Sequence, residues 1–250
     1  MSTTSGKKIF AANWKLNKTP EEARQFVIQL KNEAFKISNF FETREVLLFP
    51  SAFALEAVSS LCGGTAIGYG PQNIYFEKSG AFTGENSAQV AARLRSQFAL
   101  VGHSERREIF KELDEQLNKK NKLLQELSMT PVFCIGETLA QREAGATLKV
   151  CFSQIEAGLK EVKTDVRLIV ASEPVWAIGT GKVATSQQVA EVHAELYKKL
   201  SGMGFKNFQL LYGGSVKPDN AKELLSIAHV DGFLIGGASL QVDSFLKICQ

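Results

Sequence analysis

Short apolar runs alternate with longer amphipathic stretches along the whole chain. Eight of the short runs have the length and residue types of strands: 9–13, 46–49, 66–70, 98–102, 131–136, 168–172, 208–212 and 232–235. Most are continuously apolar, the pattern of parallel strands covered on both faces. The stretches between them carry helix starts. Thr19-Pro20-Glu21-Glu22 combines a cap, a proline at the first helical position and a capping-box glutamate, and places Phe26, Leu30 and Ala34 on one stripe. Thr185 to Gln188 repeats the box ahead of Val189, Val192, Leu196 and Leu200, and Asp219 is placed to cap the helix of Ala221, Leu224 and Leu225. Eight such units predict an α/β chain folded as a (β/α)8 barrel. A doubly wound open sheet would want a glycine fingerprint after an early strand, and 9–13 runs into Trp14-Lys15 instead. No Pro/Gly/Ser-rich linker or charge run divides the chain, so one domain over 1–250 is expected.

Composition narrows the function classes. The 250 residues are 44% hydrophobic, enough for a sizeable core, and the net charge of +3 from 29 basic and 26 acidic residues gives no footprint for nucleic acid or an anionic membrane. No apolar run reaches membrane-spanning length, and the polar start carries no export signal, so a cytoplasmic location is expected. Cys62, Cys134, Cys151 and Cys249 are widely spaced and read as reduced core thiols.

A barrel turns position into chemistry, because functional groups gather at the carboxyl ends of strands and in the loops beyond. The sixth run ends in Glu173, where a carboxylate has no packing reason to be. Pro174 stops the strand there, and an apolar stretch with Gly179 and Gly181 follows, a segment (174–184) suited to cover a general base. His103 leaves the fourth strand through Gly102 on the same face. Ser104 could cap the next helix, with Arg106 and Arg107 pairing acids such as Glu105, Glu108 or Glu112. Asn13 and Lys15 end the first strand: the lysine either snorkels to solvent or aims at an anion in the mouth. Glu137 is either an exposed loop acid or an acceptor for the Trp176 indole. Glycine pairs after strands seven and eight (213–214 and 236–237) suit a phosphate on bare backbone N–H groups. The loop 72–85 carries Tyr75, Phe76 and Phe82 and is expected to enter a second subunit or pack on its own barrel. Neighbouring Ser, His and Glu make no hydrolase triad. His103-x-Glu105 lacks the P-C-x-x-C of a zinc deaminase, and His193 and His229 read as structural, so neither metal nor cofactor is expected. Together these groups point to proton abstraction beside the carbonyl of a small phosphorylated molecule.

Seven motifs, in order, resemble those of the triosephosphate isomerase family over essentially the whole chain: A-N-W-K-L-N (12–17), G-A-F-T-G-E (80–85), G-H-S-E-R-R (102–107), C-I-G-E-T (134–138), E-P-V-W-A-I-G-T-G (173–181), Y-G-G-S (212–215) and G-G-A-S (236–239). The resemblance implies a glycolytic and gluconeogenic enzyme that interconverts dihydroxyacetone phosphate and D-glyceraldehyde 3-phosphate through an enediolate. It implies that Glu173 is the base, a neutral His103 the electrophile, and Lys15 and Asn13 the oxyanion stabilisers, with Glu105 ordering the network. Gly179, Ser215, Gly236 and Gly237 would hold the phosphate. The lid would comprise Pro174, Val175, Trp176, Ala177, Ile178, Thr180, Gly181, Lys182 and Ala184, with Glu137 receiving Trp176 when it is open and Tyr212 fastening it near Ala184 when closed. The neutral histidine and the closing loop come from the family and not from the residues alone. A homodimer through 72–85 is implied as well, with Thr83, Gly84 and Glu85 at the interface. The chain departs from the family at Ser172, where tyrosine is common, at Asn86, where valine is usual, and at Pro71. A different phosphorylated sugar would want a roomier mouth, and a scaffold on a retired enzyme fold would be expected to lose Lys15, His103 or Glu173 first.

Overall fold

The computed structural model describes residues 6–178 and 183–250. Its strands are β1 Lys8–Asn13, β2 Arg44–Phe49, β3 Ile67–Tyr69, β4 Phe98–Val101, β5 Thr130–Ile135, β6 Leu168–Ser172, β7 Phe208–Tyr212 and β8 Gly232–Ile235. Each predicted run is therefore a strand, with ends differing by at most two residues. All pairings are parallel, in the order β3-β2-β1-β8-β7-β6-β5-β4. The two outer strands meet through backbone bonds from Gln97 N–H to Tyr69 O and from Leu100 N–H to Pro71 O, both 3.1 Å, which close the sheet into a (β/α)8 barrel. Pro71 has no N–H to give, and this seam uses only its carbonyl.

Alternate strand positions fill the barrel. Ile9 and Ala11 of β1, Leu47 and Phe49 of β2, and Ile169 and Ala171 of β6 belong to one buried cluster of twelve side chains. The positions between them, such as Phe10, Val46, Val170 and Leu210, pack outward with the helices in a second cluster. This explains why the runs read as continuously apolar. Both faces of each strand are buried, and each large side chain removed from water contributes roughly 1.5–3 kcal/mol.

The amino-terminal end of the barrel is closed by charge. Arg167 makes a bidentate pair with Glu45 at 2.8 and 2.6 Å, gives its Nε–H to Gln209 Oε1 at 2.9 Å, and lies over the Phe98 ring. Three non-adjacent parts of the sheet are joined there, and the pair's charges offset each other far from the functional loops.

Both capping boxes form. Glu22 N–H donates to Thr19 Oγ1 at the start of the helix Pro20–Phe35, and Gln188 N–H donates to Thr185 Oγ1 at the start of Ser186–Gly202. Asp219 does not cap its helix as expected. Lys217 holds the cap of Pro218–Leu225, and Asp219 lies in the first turn, where the helix dipole still favours an acid. All four cysteines are buried and unbridged, and burial pushes the Cys62 and Cys151 thiols up to about 12, which keeps them protonated. Among the described residues no helix is long and apolar enough to cross a membrane.

Candidate active site

Strand register sets the site. Glu173 follows β6 on the same side as Ile169 and Ala171, so its carboxylate rises from the barrel interior at the carboxyl end, only 1% exposed. Its Oε2 accepts the backbone N–H of Ser104 at 2.9 Å, and its Oε1 lies 3.0 Å from His103 Nε2. Ser104 is thus not the cap expected of it. His103 takes that position, its Nδ1 accepting the Glu105 N–H at 3.3 Å, which frees the Ser104 N–H for Glu173.

An imidazole whose Nδ1 accepts a backbone N–H carries its proton on Nε2 when neutral, directed at the Glu173 carboxylate. Burial of His103 disfavours its charged form. The charge and hydrogen bond of Glu173, followed by the charge of Glu105, outweigh this, so its pKa is raised, with Lys15 opposing. The increase lasts only while Glu173 stays against the ring.

Lys15 reaches the mouth through an unusual backbone, with φ at +51° held by its own N–H to Asn13 Oδ1 at 3.1 Å. Its Nζ pairs with Glu105 Oε1 at 2.5 Å instead of snorkelling away. Gln72 fixes this loop by giving both amide hydrogens to carbonyls, Lys15 O and Phe49 O, each at 2.9 Å. Sequence reasoning missed Gln72 and the Ser104 N–H alike, since a glutamine after a strand and a backbone donor carry no motif. The expected arginine pairing holds for Arg106, which binds Glu112 at 2.6 Å. Arg107 binds Asp114 instead, and also the strand-end carbonyls Gly102 O and Cys134 O.

Asn13, Lys15, His103 and Glu173 line one cavity of about 230 Å³ with Ile178, Ser215, Gly236 and Gly237. The glycines have distinct reasons. A Cβ on Gly213 would lie 2.8 Å from Glu173 Cγ, and one on Gly236 would lie 3.3 Å from Lys15 Cε, so these two make room for the Glu173 and Lys15 side chains. Gly237 opens onto free space, as a backbone donor for an anion should.

The covering segment is tied to this rim. Val175–Ala177 is a single 3₁₀ turn, and the Ala177 carbonyl accepts the Ser215 hydroxyl at 2.6 Å. The Trp176 indole N–H donates to Glu137 Oε1 at 3.0 Å, so Glu137 is a buried acceptor and not a loop acid. Arg142 also binds Glu137, at 3.2 Å, and lies over the Trp176 ring. Pro174 and Ala184 are buried at either side, and the buried Tyr212 hydroxyl lies against the Ala184 backbone. Gly179, Thr180, Gly181 and Lys182 lie outside the described residues.

The base of the loop 72–85 packs on its own barrel, with Ile74 fully buried in the core and Asn73 Oδ1 accepting from Lys120 at 2.7 Å, while the tip does not. Tyr75 stacks on Phe76 and packs against Phe82, while residues 77–85, including Thr83, Gly84 and Glu85, stand exposed. Its base is closed by Tyr75 N–H to Asn86 O at 2.8 Å, a bond that asks nothing of the Asn86 side chain.

Fold and site together define a (β/α)8 barrel whose mouth holds a buried carboxylate and imidazole facing a glycine-lined rim. A family model described as triosephosphate isomerase matches residues 8–250. Proteins named triosephosphate isomerase from Bdellovibrio bacteriovorus, Endomicrobium trichonymphae and Aquifex aeolicus are 52%, 41% and 41% identical to this chain, over 98%, 98% and 97% of its length and 99%, 98% and 98% of theirs. The chain belongs to the triosephosphate isomerase family.

Proposed function

We propose that this chain, as one barrel domain, interconverts dihydroxyacetone phosphate and D-glyceraldehyde 3-phosphate. Glu173 removes a proton from the carbon beside the carbonyl, leaving an enediolate, and returns it to the adjacent carbon. The His103 Nε2–H donates to the substrate oxygens, Lys15 supplies positive potential as charge develops on them, and Asn13 orients them. Glu105 holds Lys15 in place. The phosphate sits on the backbone N–H groups of Ser215, Gly236 and Gly237, completed by Gly179 from the lid, so that covering the site and binding the phosphate are one event. The observation that carries this reading is the placement of a carboxylate only 1% exposed, 3.0 Å from a neutral-capable imidazole, on the wall of the mouth cavity. To act, Glu173 must leave the Ser104 N–H and turn to the substrate. Departure of the carboxylate also removes the charge that raises the His103 pKa, returning the imidazole to a neutral donor.

The exposed tip 77–85 of the loop, with Leu16 99% and Phe53 91% exposed, supports a homodimer in which Thr83 approaches the partner's Asn13 and Lys15. We place the protein in the cytoplasm. The test is isomerisation of glyceraldehyde 3-phosphate by purified protein in chelating buffer, with Glu173→Gln run in parallel to expose host enzyme. Turnover by the unaltered chain alone is expected; equal rates from both would remove Glu173 from the role of base.

A further inference from the structure

Ser172 is one residue before the base, in register with Ile135 and Tyr212, at an outward position of β6. Under it, between the barrel and the helix Ser186–Gly202, lies a cavity of about 20 Å³ lined by Ser172, Tyr212, His193, Glu137, Trp176 and Ala184. A larger side chain at 172, such as the tyrosine common in the family, would compete for this space. Serine leaves it open.

Apolar side chains such as Pro174, Val189 and Val192 line much of the cavity, but polar groups face it too, and their hydrogen bonding is incomplete. His193 Nε2 has no hydrogen-bond partner among the described residues, and the Tyr212 hydroxyl, which lies against the Ala184 backbone N–H, has no acceptor for its own proton; each side chain is 1% exposed. Burial pushes His193 down to about 4, so its ring is neutral. Its Nδ1 faces the His229 carbonyl oxygen at 2.9 Å, and a carbonyl only accepts, so the ring proton is on Nδ1 and Nε2 is an acceptor without a donor. The Tyr212 hydroxyl can donate. No side chain bridges the two. Glu137 already receives the Trp176 indole and Arg142.

A void needs roughly 10–15 Å³ and two to four polar partners to hold a water, whereas dry cavities are apolar. We propose that this cavity is a binding site for one water molecule. The water gives one hydrogen to His193 Nε2, accepts from the Tyr212 hydroxyl, and has Ser172 Oγ as its third partner. The inference rests on the packing around β6 and stands apart from the proposed reaction.

Two measurements decide it. In a crystal structure of the unliganded full chain at a resolution that orders solvent, a peak is expected at about 3 Å from His193 Nε2 and from the Tyr212 or Ser172 oxygen. An empty or collapsed cavity overturns the proposal. Ser172→Thr keeps the hydroxyl and adds a methyl group of about the water's size. If the site holds water, its displacement leaves Nε2 unpaired and Tm falls by roughly 2–6 °C. A methyl group filling a dry void would raise Tm, so an unchanged or raised Tm overturns the proposal as well.

Discussion

Gly213 and Glu173 are packed so closely that a single methyl group would separate them: a Cβ on Gly213 would stand 2.8 Å from Glu173 Cγ. The first glycine of the pair after β7 therefore makes room for the Glu173 carboxylate. Gly213→Ala is expected to fold, push the carboxylate aside and lower kcat roughly 10- to 100-fold, as an ångström of misplacement does. Steady-state kinetics beside circular dichroism check this, and an unchanged kcat would mean that Glu173 tolerates the shift.

The raised pKa of His103 has an assignable source. In Glu173→Gln the opposing charge is gone and burial dominates, so the imidazole should titrate below the ordinary value of about 6.5. Imidazole nitrogen shifts in an NMR titration would read this, with His193 set apart by its value of about 4. For the unaltered protein the sign of the linked stability follows. A histidine raised in the folded state stabilises fully below about pH 6.5, and this contribution fades as pH rises through the folded value. A His103 that still titrates above 6.5 in the variant would place the cause elsewhere.

Thr83 stands on the exposed tip of the 72–85 loop. If that loop inserts into a partner, Thr83→Arg should split the dimer and lower activity by at least 10-fold, since a buried unpaired charge is costly. Sedimentation with parallel assays tests it. A fully active monomer would contradict the role given to the partner subunit.

At the other end of the barrel, Glu45→Ala leaves the Arg167 guanidinium without its carboxylate. A loss of about 2 kcal/mol is expected, less than for a fully buried pair because both side chains keep some exposure. Activity at 25 °C should not change. Denaturant unfolding and kinetics on one sample separate the two, and a fall in kcat would mean that the two ends of the barrel are coupled.

The barrel was legible because its strands are buried on both faces, so each stands out as an apolar run broken only where chemistry begins, at Asn13, Gly102 or Glu173. The capping boxes at Thr19 and Thr185 were legible because a cap is a local event within four residues. What could not be read is made of contacts between distant segments. Ser104 read as a cap because sequence cannot place Glu173 beside its N–H, and Asp219 read as a cap because nothing local distinguishes it from Lys217. Gln72 bonds two carbonyls, one in the loop after β1 and one at the end of β2, and Gly213 answers to a side chain forty residues earlier. Pro71 departs from the family pattern, and the seam asks only for its carbonyl.

The alternation along β6 has a consequence for how this gene can change. Ala171 and Glu173 share one side of the strand and Ser172 the other, so losing one residue anywhere in 168–171 would turn the carboxylate outward among the helices and bring the Ser172 hydroxyl to the inner side. Substitutions in β6 can be graded by size, but deletions cannot be graded at all. The strand works as a ruler marked in steps of two, and evolution is expected to accept length changes in the loops on either side while holding the count of β6 fixed.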